Sequence, residues 1–212
     1  SAGIDSVTVG LYAGGKLGAF NLRSGASFSY DSIDVSRAIV FPDFADATKT
    51  RLHGQVGQVF GEIGYGMALG SFAIEPFAGL AYVHLHDGAF AESGGLAALS
   101  GASAREDLGY SSLGLRAATF LPLANGTVLV PRASAQWQHA FGDVSPETAF
   151  TFQSTGTAFT VAGVPLARNA ALVEAGLDWR LSPWTKLGAF YQGELASHAQ
   201  SHAIKGAFTL GF

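Results

Sequence analysis

Nine stretches of the chain alternate apolar with polar or small side chains at a period of two, the signature of a strand whose faces meet different surroundings. In the first, Val7, Val9, Leu11 and Ala13 oppose Thr8, Gly10 and Tyr12. In the second, Phe20, Leu22, Ala26, Phe28 and Tyr30 oppose Asn21, Arg23, Gly25, Ser27 and Ser29. The third sets Val59, Ile63 and Tyr65 against Gln58, Glu62 and Gly64, and the fourth Ile74, Pro76, Ala78, Leu80 and Tyr82 against Glu75, Phe77, Gly79 and Ala81. Leu113, Leu115, Ala117 and Leu121 oppose Ser112, Gly114, Arg116 and Ala118 in the fifth; Leu129, Pro131, Ala133, Ala135 and Trp137 oppose Arg132, Ser134, Gln136 and Gln138 in the sixth. The seventh is the cleanest, with Val173, Ala175, Leu177, Trp179 and Leu181 against Leu172, Glu174, Gly176, Asp178 and Arg180. In the eighth, Leu187, Ala189, Tyr191 and Leu195 oppose Lys186, Gly188, Gln192 and Glu194. The last eleven residues place Ile204, Gly206, Phe208, Leu210 and Phe212 opposite Ala203, Lys205, Ala207, Thr209 and Gly211. Phe60 and Phe77 break the alternation, and adjacent glycines leave room for such rings on the polar face.

Every charged residue within these runs falls opposite the apolar row: Arg23, Glu62, Glu75, Arg116, Arg132, Glu174, Asp178, Arg180, Lys186, Glu194 and Lys205. A soluble sandwich turns the apolar row inward, whereas a membrane barrel turns it toward lipid. Alternation alone fits both. The connections separate them, because they alternate between short (14–16, 69–71, 122–126, 182–183) and long (31–50, 86–107, 141–169, 196–201). Short turns on one rim and long loops on the other are the pattern of an outer-membrane barrel. Gly14-Gly15-Lys16 and Asn125-Gly126 are expected as tight turns. Trp137, Trp179, Tyr82 and Tyr191 lie near run ends, where an aromatic girdle belongs. The fold expected is an all-β, antiparallel, up-and-down transmembrane barrel, with a soluble β-sandwich binding module as the opposing reading.

Composition strengthens the barrel. Only 13% of the 212 residues are charged and mean hydropathy is +0.27. Yet no run reaches the roughly 18 apolar residues of a transmembrane helix. A barrel reconciles the two, since lipid meets only every second residue. There is no Cys, so no disulfide framework and no thiolate metal site is expected. The net charge of −4 argues against a nucleic-acid partner. The start, SAGIDSVTVG, reads as strand rather than signal peptide. If the last strand ends on the short-turn side, an odd count of nine puts the first strand's start on the long-loop side. A closed antiparallel barrel needs an even number, so the parity predicts that an odd number of N-terminal strands is missing.

The chain resembles the C-terminal β-barrel translocator domain of monomeric (type Va) autotransporters. The resemblance rests on QVFGEIGYGMALGSFAIEPFAGLAYVHL, SSLGLRAATF, WQHAFGD and FTVAGVPLARNAALVEAGLDWRLSP, in order, and on the terminal strand ending at Phe212. It implies a barrel of twelve strands, of which nine are visible here, with a helix through the pore. The whole of residues 1–212 would then be one translocator domain without its first strands and pore helix. Its implied role is to export an N-terminal passenger to the cell surface from the outer membrane of a Gram-negative bacterium. The implied partners are outer-membrane lipid, the barrel assembly machinery, periplasmic chaperones and the chain's own passenger in the pore. Phe208, Leu210 and Phe212 resemble the terminal signal read during outer-membrane assembly. No enzymatic activity and no cofactor is implied; an outer-membrane porin or barrel enzyme is the alternative.

Candidate chemistry is sparse. His84 and His86 share a strand face and could bind a metal or, with Asp87, act as a base, but no nucleophile motif accompanies them. An exposed rim cluster is the simpler account, and His198 and His202 read likewise as solvated loop residues. The ionised row could be a proton or substrate path; a mixed-charge pore lining held by cross-strand pairs is the favoured reading, since no pair has a catalytic spacing that sequence establishes. The patch Phe159 to Leu166 is expected either as a small hairpin over the mouth or as loop packing.

Overall fold

The structure, a computed structural model, describes every residue except His198 and Phe212. Nine strands pair antiparallel in chain order: β1 (Ala2–Leu17), β2 (Phe20–Phe41), β3 (Phe44–Tyr65), β4 (Phe72–Asp87), β5 (Ala104–Thr119), β6 (Val128–Gly142), β7 (Asn169–Arg180), β8 (Thr185–Ala196) and β9 (Gln200–Leu210). Each strand neighbours the next one along the chain, so the sheet is an up-and-down meander that begins at β1 and ends at β9. Short pieces lengthen it: Met67–Leu69 pairs with β4, Leu121–Pro122 with β6, and Ser93–Gly94 with β3. A second, four-stranded sheet arises inside two long connections. Its order is Ala158–Ala162, Glu147–Phe152, Leu99–Gly101 and Phe90–Ala91.

The register carries the two sequence rows unbroken across the sheet. Arg23 stands opposite Glu62, Glu75 opposite Arg116, Arg116 opposite Ser134, Ser134 opposite Glu174, and Glu174 opposite Gln192. On the other face Leu22 meets Ile63, Ile63 meets Ala78, Ala78 meets Leu113, Leu113 meets Trp137 and Leu177 meets Ala189. A slip of one residue anywhere would exchange the faces.

Three connections differ from expectation. Gly14-Gly15-Lys16 is not a turn: β1 pairs on to Leu17, opposite Phe20, and the reversal falls at Gly18-Ala19. Gly18 sits at φ +63°, a conformation that costs glycine nothing, whereas Gly14 and Gly15 are extended and ladder-bonded. The polar segment 31–50 is strand, and β2 and β3 form a 22-residue hairpin that turns only at Pro42-Asp43. Polarity there reflects strands that stand clear of the apolar layer. The long connection 141–169 holds the hairpin Glu147–Phe152/Ala158–Ala162, so the patch from Phe159 is strand only as far as Ala162.

Among the described residues no dry centre is packed with the apolar row. Leu177 and Trp179 are exposed. The small buried cluster, Leu108, Ala140 and Val144 with Val83 and Tyr110, lies at the long-loop end of β4, β5 and β6.

Candidate functional site

The charged face is knit into a network that reaches over intervening strands. Arg23 on β2 donates to Glu62 on β3 (Nη1 to Oε1, 2.8 Å) and, past β3, to Glu75 on β4 (Nη1 to Oε1, 2.6 Å). Arg116 on β5 donates to Glu75 (3.2 Å) and, past β4, forks onto both Glu62 oxygens (2.8 and 2.7 Å). Asn21 adds a bond to Glu75 (2.8 Å). Side chains two strands apart can meet only where the sheet bends toward them, so the charged face is the concave one. Two arginines and two glutamates close an alternating square, each charge touching two of opposite sign.

Glycine makes the close approach possible. A Cβ on Gly25 would stand 2.5 Å from the Phe60 ring, and one on Gly114 would enter the Phe77 ring. The Phe77 ring in turn carries the Arg116 guanidinium at 3.8 Å, a cation–π contact. The same device recurs on β6 to β8. Phe190 covers Gly176 and Gly188 and holds the Arg132 guanidinium at 4.2 Å. Arg132 also faces Asp178 (3.5 Å), and Lys186 stands 3.9 Å from it. Glu174 accepts from Gln192 (3.0 Å), and Arg180 lies 5.5 Å over Phe120. Glu194 and Lys205 share this face by register but join neither cluster. Sequence reasoning left out Asn21, Phe190 and the supporting role of Phe77; the signal available was an aromatic on the polar row with glycine on the next strand.

Burial is inverted relative to a soluble sheet. The Glu62 and Glu75 side chains retain 18% and 14% exposure, while Leu80 and Leu113 on the opposite face retain 70% and 56%. Ile204, Phe208 and Leu210 on β9 are likewise exposed; Phe212 lies outside the described residues.

The second sheet is tied to the long-loop end of the β2–β3 hairpin. Arg37 forks onto Glu92 (2.9 and 2.6 Å) and donates to the Ala97 carbonyl (3.1 Å), while Asp46 accepts from the Ala97 amide (2.8 Å). Gln153 bridges the Glu92 and Leu99 carbonyls. Burial works to raise the Glu92 carboxyl, but Arg37 and the Leu99 amide hold it below the ordinary carboxylate range. Arg37 and Arg23 share a strand and a face, so this clip sits over the same hollow.

The histidines do not assemble as a metal or base site. His84 and His86 do share a face, but Asp87 points to the other, and His84 instead bonds Asp107 (Nδ1 to Oδ1, 2.6 Å). Among the described residues no three potential ligands converge on a metal position. His198 lies outside the described residues.

The family model of the autotransporter β-domain matches residues 1–192. Two extracellular serine proteases of Serratia marcescens are each 33% identical to the chain over 208 residues, which is 98% of this chain and 20% of theirs. The chain thus spans about a fifth of the length of the curated relatives it matches. Among solved structures, the translocator domain of the autotransporter NalP from Neisseria meningitidis matches with a TM-score of 0.71 and 20% identity, over 100% of this chain and 69% of that one. That likeness is one of fold.

Proposed function

Since the chain belongs to the autotransporter β-domain family, we propose that it acts as the outer-membrane translocator through which an N-terminal passenger reaches the cell surface of a Gram-negative bacterium. The observation that carries this reading is the inverted sheet: ionised groups paired on the concave face, Leu, Val and Trp exposed on the convex one. In a bilayer that convex face meets acyl chains, and a charge placed there at mid-depth costs roughly 2–4 kcal/mol. The hollow side then lines a polar pore.

In this reading Arg23, Glu62, Glu75, Arg116, Arg132, Glu174, Asp178, Arg180, Lys186 and Glu194 line the pore. Their mutual pairing suits a conduit. A wall whose charges are already matched offers a transiting peptide many weak contacts and no deep well, so an extended passenger slides instead of sticking. Aromatic rings over glycine stiffen the wall without a rigid core. The clip at Arg37 and Glu92 holds the second sheet over the outer mouth, where it narrows the exit. In this reading the domain serves as a transporter, as its place in the autotransporter β-domain family supports. Its further partners are the passenger itself, the barrel assembly machinery that reads Phe208, Leu210 and Phe212, and the periplasmic chaperones that deliver the unfolded chain.

The test is surface display. A reporter fused ahead of the domain in its native host should become accessible to external protease. Barrels that insert with normal heat-modifiable migration yet leave the reporter inside would sink the transport assignment, and a porin role would then be the better account.

A further inference from the structure

Among the described residues five histidines stand on the convex, apolar face; four of them are coupled to an aromatic neighbour in a repeated geometry, and His86, level with Arg105 beyond that row, is not. His53 Nδ1 meets the Tyr30 hydroxyl (2.9 Å) with the rings stacked at 5.7 Å; His202 Nδ1 meets the Tyr191 hydroxyl (2.8 Å) with the rings stacked at 6.0 Å. The other two share an oxygen from the next strand. Tyr82 and His84 both bond Asp107 Oδ1 (2.6 Å each), and Trp137 and His139 both bond Asn169 Oδ1 (3.1 and 2.8 Å).

The vertical order never varies. In every pair the imidazole stands two residues farther from the short-turn rim than the aromatic ring. His84 follows Tyr82 and His139 follows Trp137 on one strand. His53 lies two beyond Gln55, the register partner of Tyr30, and His202 two beyond Ile204, the partner of Tyr191. Three of the four heights agree as well, His202 standing lower on the terminal strand. His53 is twelve residues from the Tyr65 end of β3, His84 twelve from the Phe72 end of β4, His139 eleven from the Val128 end of β6, and His202 eight from the Leu210 end of β9. Twelve residues rising about 3.3 Å each on a strand tilted about 40° climb ~30 Å, just past an apolar band of about 25 Å.

Charge marks the same level. Among the described residues on this face, all nine strands carry no Asp, Glu, Lys or Arg between the short-turn rim and the histidine row. Asp5 and Asp107 stand level with that row, and Asp34, Lys49, Arg51 and Arg105 beyond it. These six charges cancel, so the level is not a basic patch for anions. It is a polar boundary drawn by neutral hydrogen-bonding groups. All four imidazoles use Nδ1 within the protein, and among the described residues none of their Nε2 atoms has a partner. Asp107 and the Asn169 oxygen only accept, so His84 and His139 donate through Nδ1.

We propose that the four aromatic–histidine pairs form an interfacial belt that fixes how deeply the barrel sits, with the aromatic ring at the edge of the acyl layer and imidazole Nε2 accepting hydrogen bonds from hydroxyl or ammonium groups of the lipid headgroups on the long-loop side. The belt rests on the membrane reading of the convex face given above. It differs from an ordinary aromatic girdle in that the histidine rung, not the ring, contacts the headgroup.

Tryptophan quenching tests it. Trp179→Phe and Trp184→Phe leave Trp137, a member of the belt, as the sole reporter. The protein is reconstituted into vesicles of phosphatidylethanolamine, whose ammonium group donates, mixed with phosphatidylcholine brominated either next to the headgroup or deep in the acyl chain. The shallow bromine should quench more strongly. Replacing His53, His84, His139 and His202 by Leu should reverse that order, because the apolar band gains a rung and the barrel sinks. Asn at the same positions should retain the original order. The pair His53→Leu and His202→Leu leaves the Asp107 and Asn169 contacts intact and should shift the order the same way, which covers failure of the fourfold variant to fold. Unchanged depth in the Leu variants, or an equal shift with Asn, overturns the belt and leaves the membrane reading standing. Absence of quenching by either lipid removes the membrane reading itself.

Discussion

Arg23 bonds Glu75 across an entire intervening strand, its Nη1 2.6 Å from Oε1. The pair spans β2 to β4, and Arg116 with Glu62 mirrors it from β5 to β3. These contacts tie four strands together at one height and are the most direct expression of the sheet's curvature.

Breaking that square should cost stability without stopping insertion. Glu75→Gln leaves Arg23 and Arg116 each short of a partner. A fully buried orphan charge costs about 3–5 kcal/mol; with both arginines still reached by water, about 1–2 kcal/mol is expected. Urea unfolding of the vesicle-inserted protein measures it, and restoring a carboxylate with Glu75→Asp should recover only part of the loss.

Filling a glycine on the concave face should be worse than filling one elsewhere. Gly114→Val pushes into the Phe77 ring and, at 2.7 Å, into Gln136 Cβ. Displacing Phe77 also removes the platform under Arg116. Overpacking of this kind costs about 1–3 kcal/mol. Gly57→Val meets nothing within 4 Å and should be close to neutral by the same unfolding measurement.

The two faces should respond oppositely to charge. Leu177→Arg puts a cation on the exposed apolar row and should destabilise insertion by roughly 2–4 kcal/mol. Ser134→Arg, on the concave face between Arg116 and Glu174, should insert nearly as well as the parent. Equal penalties for both would mean that the convex face does not meet lipid.

The clip over the mouth should loosen in acid. Glu92 has its folded-state value below that of an unfolded chain, so its stabilisation is present above the ordinary glutamate range, near 4.3, and is lost as the pH falls through the folded value. Protease cleavage in the connections 88–103 and 143–168 should therefore rise as the medium is acidified below that range. Glu92→Gln should cleave readily at neutral pH and show little further change on acidification.

The terminal strand can be tested separately from the pore wall. Phe208→Ala combined with Leu210→Ala should reduce the amount of heat-modifiable barrel assembled in cells. Glu174→Ala, on the other face, should leave assembly unchanged. Equal assembly in both variants would remove the terminal row from any signalling role.

The sequence by itself located nine strands and divided the side chains within its alternating runs between two faces, because a period of two assigns a face without reference to any partner. It also placed the ten ionised residues proposed to line the pore on one face. Tertiary structure alone decided which of them meet. Arg23 and Glu75 are 52 residues apart, and only curvature of the sheet brings their charges within 2.6 Å past β3. Curvature likewise turned Phe60, Phe77 and Phe190 from breaks in a pattern into rings seated on glycines. The 22-residue reach of β2 and β3 was hidden because polar strand beyond the apolar layer has the composition of a loop. The pairing of four outward histidines with Tyr or Trp was hidden for a similar reason: alternation tells which side a residue is on, whereas height above the rim depends on the register of neighbouring strands, which is set by hydrogen bonds between segments far apart in the chain.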